Sequence, residues 1–124
     1  MGVLGLGIAR VGLGVALLAR PASLPQAVGV DRVSARRLAW LVRLFAVRDA
    51  ALGAGAAYAV AARKPVRPWL AAAAVSDATD AVSLAAAIRG RQVGAVRAGA
   101  VVAFAVGGAV ASAVFARDAD ATDV

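Results

Sequence analysis

From Ala98 to Ala116 the chain runs without a charged residue, so a helix over this stretch has no polar face with which to meet water. The run has the length of a membrane span, which needs about 17 to 25 apolar residues. Gly2 to Ala19, Ala39 to Ala62 and Pro68 to Ile88 are also apolar over such lengths, but each holds internal charges. Together the four stretches predict an all-α fold, a four-helix transmembrane bundle over residues 1–117 with helices at 2–19, 39–62, 68–88 and 98–116. A short acidic tail, 118–124, would follow. A soluble fold fits poorly. With 62% hydrophobic and 17% charged residues and a mean hydropathy of +0.80, the chain has too much apolar surface for its 124 residues to bury.

Helix boundaries carry their own signals. Pro21 and Pro25 stop the first helix, Asp31 or Ser34 is placed to cap the second, and Pro65 and Pro68 separate the second from the third. Gly90 and Gly94 break the third from the fourth. Trp40, Tyr58, Trp69 and Phe115 fall near span ends, where amphipathic rings favour the headgroup region; ordinary packing is the alternative role. Residues 1–20 have the length of a signal peptide, but they lack a basic start and place Arg10 inside the apolar run, so they read as a first span. Gly5, Ala9, Gly12 and Ala16 line one face of that helix with small side chains, as do Gly53 and Ala57 in the second and Gly107 and Ala111 in the fourth. Such faces suit contacts within the bundle or between copies in a homo-oligomer.

Fourteen basic residues against seven acidic ones leave a formal charge of +7. With no basic helix face and no aromatic stacking platform, this charge does not point to nucleic acid. The basic residues instead punctuate the apolar runs, as expected of connections lying on a lipid bilayer. Arg20, Arg32, Arg36, Arg37, Arg89, Arg91 and Arg97 fall in the first and third connections, against Arg63, Lys64, Arg67 and Arg117 on the other side. The imbalance predicts a multi-pass protein of the cell (plasma) membrane with both termini outside.

Cys, His and Glu are absent. That removes disulfides, thiolate nucleophiles, Cys/His zinc sites and imidazole acid–base chemistry, and the expectation is no metal and no cofactor. All carboxylate chemistry falls to seven aspartates, three of them in RDADATDV.

The remaining charges inside the spans are the informative ones. With each helix centred on a bilayer, Arg10, Arg48, Asp49, Asp77 and Asp80 share one layer, whereas Arg43 is near enough to an end to extend outward. A charge facing lipid at this depth costs about 2.5 to 3.5 kcal/mol, so five unpaired ones are untenable and ion pairing is expected. Asp77 and Asp80, three residues apart, project from one face, which Arg10 and Arg48 could serve with their guanidinium forks. Asp49 points about 100° away from Arg48 on the same helix and would reach Arg10 or a second subunit. Two arginines against three aspartates leave one negative charge, which one bound proton would balance. The layer therefore reads as a clamp or as a proton or ligand site.

Around RLFAVRDAALGAGAA and SDATDAV the chain resembles uncharacterised small four-helix bacterial membrane proteins, DoxX-like in layout, with actinobacterial-looking residue usage. Arg48, Asp49, Gly53 and Asp77 or Asp80 carry the resemblance, which extends over residues 3–115. It implies architecture and no activity. Asp77 and Asp80 are also similar to the opening of the metal motif of membrane phosphatidyl-transferring enzymes, but Ala81 stands where that motif has Gly, and neither its Ala-Arg pair nor its second Asp pair follows. The surroundings of intramembrane aspartyl proteases are missing too. Ser76 and Ser83 have no His or Lys base near them in sequence and are expected to bond helix backbone. The chain is thus expected to be a non-enzymatic accessory or scaffold subunit, self-associating or attached to a larger membrane complex. The alternative is a small oligomeric proton- or cation-coupled transporter using the same layer.

Overall fold

The computed structural model describes residues 2–92 and 95–121; the side chains at 95–98, 100, 120 and 121 fall outside that description, Arg97 among them, as does Gly94. Six helices follow one another: α1 (Val3–Ala19), α2 (Ser23–Ala27), α3 (Arg32–Arg37), α4 (Ala39–Ala61), α5 (Arg67–Arg89) and α6 (Ala95–Ala121). There is no strand among the described residues. α4, α5 and the Val101–Ala119 part of α6 are long and apolar enough to cross a membrane. α1 is apolar but has 17 residues, about 25 Å at 1.5 Å per residue.

Two helix pairs build the molecule. α1 runs antiparallel along α4, with Gly7 against Gly53 and Ala57, and Gly14 against Ala46 and Ala50. α6 returns along α5, and the pairs meet chiefly between α4 and α5. The approach of α1 to α4 depends on glycine. A methyl group at Gly14 would lie 2.6 Å from the Ala46 carbonyl oxygen, and one at Gly53 would lie 2.5 Å from that of Gly7.

The contact faces differ from those expected in two helices. On α1, Ala9, Gly12 and Ala16 are exposed, while Leu6, Gly7, Arg10 and Gly14 are buried. On α6, Gly107 is exposed with open space around it, whereas Gly108 faces α5 and Ser112 is fully buried. In so alanine-rich a chain several faces carry small residues at four-residue spacing, and the charged side chains decide which one turns inward. The Gly53–Ala57 face lies where expected.

The first connection holds more structure than its prolines suggest. Pro21 follows the end of α1, Pro25 sits inside α2, and Gly29, at φ 93°, turns the chain out of α2 in a conformation side chains disfavour. Asp31 caps the short α3 by accepting from the Val33 and Ser34 backbone N–H groups, both at 3.0 Å. It does not cap α4, which begins directly after Leu38 with no side-chain cap. Pro68 lies in the first turn of α5, where its missing N–H has no helical acceptor to lose. α6 continues through Arg117 and Asp118 to Ala121, past the expected start of the tail, because alternating alanines sustain the helix without Gly or Pro.

Packing is inverted relative to a water-soluble protein. The buried core is mostly alanine, with Ala46, Ala56, Ala59, Ala73 and Ala81 between the helices and Leu70 the largest fully buried apolar side chain among the described residues. Phe104 (69% exposed), Val82 (70%) and Ile8 (60%) face outward. Small residues inside and large apolar ones outside suit helices that meet through close backbone approach while a bilayer covers the rest.

Candidate functional site: an arginine–aspartate chain across three helices

Arg10 is the buried hub. It leaves the inward face of α1 between Gly7 and Gly14, and the absence of a side chain on Gly53 makes room for it: a methyl group there would lie 2.8 Å from the Arg10 Cβ. Its Nη1 donates to Asp49 Oδ1 of α4 at 3.2 Å, and its Nη2 donates to Asp77 Oδ2 of α5. The Asp77 carboxylate in turn lies against Gly108 of α6, where an added methyl group would come within 2.7 Å of Oδ2.

Arg48 forms the other half. Its Nη1 donates to Asp80 Oδ1 at 3.1 Å and its Nη2 to Asp80 Oδ2, a fork-to-fork pair between α4 and α5. The same Nη2 comes within 3.6 Å of Asp49 Oδ1. The Arg48 guanidinium also sits 5.2 Å from the centre of the Phe45 ring, within cation–π range.

The result is a continuous alternation, Asp77–Arg10–Asp49–Arg48–Asp80, over three helices. All five residues singled out in the sequence are in it. Asp49 joins the two arginines by accepting from Arg10 and lying near its sequence neighbour Arg48, a pairing the helical angle alone argued against. A long guanidinium arm can curl back over its own helix, so the angle at Cα does not fix where the charge ends up. Asp77 and Asp80 leave one face of α5 about one turn apart and therefore meet different arginines.

Two further residues border this layer. Ser112 is fully buried one turn beyond Gly108, and Ser76 precedes Asp77 on α5. Their hydroxyl oxygens, with Nε of Arg10 and of Arg48, are buried with no hydrogen-bond partner among the described residues. The sequence held a signal for Ser112: it is the lone hydrogen-bonding side chain between Ala98 and Ala116. For Gly108, the doublet with Gly107 leaves the inward one undetermined until α6 is docked.

Formal charges of the five residues in the arginine–aspartate chain, two arginines and three aspartates, sum to −1. This chain can hold helices together, and it can take up one cation or proton. No group of three or more metal-ligating side chains forms among the described residues. No protein-family model, curated protein or solved structure matches this chain.

Proposed function

We propose that this is a four-helix, multi-pass protein of the plasma membrane, DoxX-like in layout, that serves as a non-enzymatic accessory or scaffold subunit. Its termini lie outside, as the distribution of arginines favours. The observation that carries the reading is the alternating ion chain. Every carboxylate in it has a guanidinium and each guanidinium bridges two carboxylates, which ties α1, α4 and α5 into one register. In a hydrocarbon surround the penalty for breaking such a set makes it a strong specifier of one helix arrangement. The protein then offers a rigid apolar exterior to a second copy or to a larger membrane complex.

A second reading has specific support. The chain has an odd number of carboxylates, its Asp80 end is about one-third exposed, and unpaired hydroxyls border it. Those features suit an oligomeric proton- or cation-coupled carrier. Asp77→Asn and Asp80→Asn, made separately, distinguish the two. Measured are the folded yield in membranes and the proton flux into liposomes. For the scaffold, Asp77→Asn lowers the folded yield and the parent carries no flux. Flux in the parent that Asp80→Asn abolishes with folding intact establishes the carrier, and two silent variants refute both readings.

A further inference from the structure

We propose that the cleft between the end of α1, the α2–α3 connection and the start of α4 binds the phosphate of an anionic phospholipid headgroup. The inference rests on the membrane reading above and concerns a site separate from the ion chain. The cleft has a volume of about 410 Å³, and Arg20, Arg36 and Arg43 line it together with Ser23 and Gln26.

The three arginines come from three elements. Arg20 terminates α1, Arg36 lies in the last turn of α3, and Arg43 is in the second turn of α4. None forms an ion pair with a carboxylate among the described residues. The acid of this connection, Asp31, is committed to the N-terminus of α3. Three arginines thus line one concavity, and none of them is ion-paired among the described residues. Their planar forks match phosphate oxygens geometrically as well as electrostatically.

Surroundings favour a lipid over a soluble anion. The cleft opens where α1 ends and α4 begins, and the next residues along these helices are outward-facing and apolar: Leu18, Trp40 and Leu44. A phosphate held by the arginines leaves its acyl chains free to run down that apolar surface, and Trp40 stands at headgroup level. The opposite end of the molecule is different. There the Lys64 ammonium already donates to the Tyr58 hydroxyl at 3.3 Å and sits over its ring.

The test uses the full chain reconstituted in phosphatidylcholine nanodiscs with an increasing fraction of phosphatidylglycerol, and reads bound phosphatidylglycerol and the thermal unfolding midpoint. Saturable binding is expected, weakened about tenfold by Arg36→Gln and further by Arg20→Gln with Arg43→Gln. Arg36→Lys should fall between, since it keeps the charge and loses the fork. All three arginines are exposed, so helix content should be unchanged. Arg32→Gln removes the same charge from the same connection outside the cleft and should weaken binding by no more than about twofold. Equal losses in Arg32→Gln and Arg36→Gln would reduce the effect to diffuse attraction and overturn the proposal. Saturation by inorganic phosphate in pure phosphatidylcholine discs would overturn the assignment to lipid. A chain that does not enter the discs refutes the membrane reading, whereas one that enters and shows no Arg36-dependent binding refutes this inference alone.

Discussion

The two halves of the ion chain use the same chemistry in different surroundings. Arg10 and Asp77 keep only 10% of their side-chain surface exposed, while Arg48 and Asp80 keep 32% and 33%. The Arg10 half is closed by glycines, Gly53 behind the arginine and Gly108 against the aspartate. The Arg48 half is a better-formed fork, with both guanidinium nitrogens on one carboxylate. Geometry alone would rank the Arg48 pair first. Burial reverses the order, because the enclosed Arg10–Asp77 pair cannot rearrange when one partner is lost, whereas of the part-exposed pair Arg48 can extend toward the interface and Asp80 can take up a proton.

Removing the hub should therefore have the largest effect. Arg10→Met strands Asp77, leaves Asp49 with Arg48 alone, and is expected to destabilise the fold by about 3 to 5 kcal/mol, measured as unfolding free energy in lipid discs. An effect no larger than that of Arg48→Met would erase the distinction between the halves. Gly53→Ala comes next. Its methyl group would meet the Gly7 carbonyl and the Arg10 Cβ, both attached to the α1 backbone, so the helix must move; about 1 to 3 kcal/mol is expected, with loosening of the Arg10 contacts. Arg48→Met should cost about 1 to 3 kcal/mol, since Asp80, one-third exposed at a depth where an unpaired charge is costly, can shed its charge by taking up a proton once its partner is gone.

Legibility in the sequence divides along similar lines. The four long helices could be read because apolar runs and prolines are local signals, and their observed ends differ from the expected ones by a few residues. The membership of the charged layer was legible for the same reason: a charge inside an apolar run stands out whatever its partner. Which partner it takes was not, because that depends on how α1 and α5 dock and on how a flexible guanidinium bends. Asp49 shows this, bridging the arginines where helix angles separate it from one of them. The inward faces of α1 and α6 were not legible because alanine and glycine occur on every face, leaving small-residue spacing without contrast. The short α2 and α3 lie below the length at which periodicity identifies a helix, and Asp31 was visible as a cap without revealing which helix it caps.

Asp31 provides the smallest effect and a contrast with the buried chain. Hydrogen bonds from Ser34, the hydroxyl first and then the backbone N–H, hold its carboxyl below the ordinary aspartate range. A depressed folded-state pKa means the capping contribution is fully present above the unfolded value near 3.8 and is lost as pH falls through the lower folded value. Asp31→Ala should lower the helicity of α3 slightly at neutral pH, where the cap is fully present, and remove the further loss in the acidic window, with global unfolding little changed, as circular dichroism against pH would show. A large change at neutral pH would mean that the connection contributes to holding the helix pairs together.

The most direct test of the clamp is a double-mutant cycle between Arg10 and Asp77 in lipid discs, using Arg10→Met, Asp77→Leu and the two combined. If the buried pair fixes the register, each single change is strongly destabilising and the combined variant recovers about 2 to 3 kcal/mol of the summed loss, because no charge at that position is left without its partner. Losses that simply add would show that Arg10 and Asp77 do not act on one another in the folded protein, and the clamp would be contradicted.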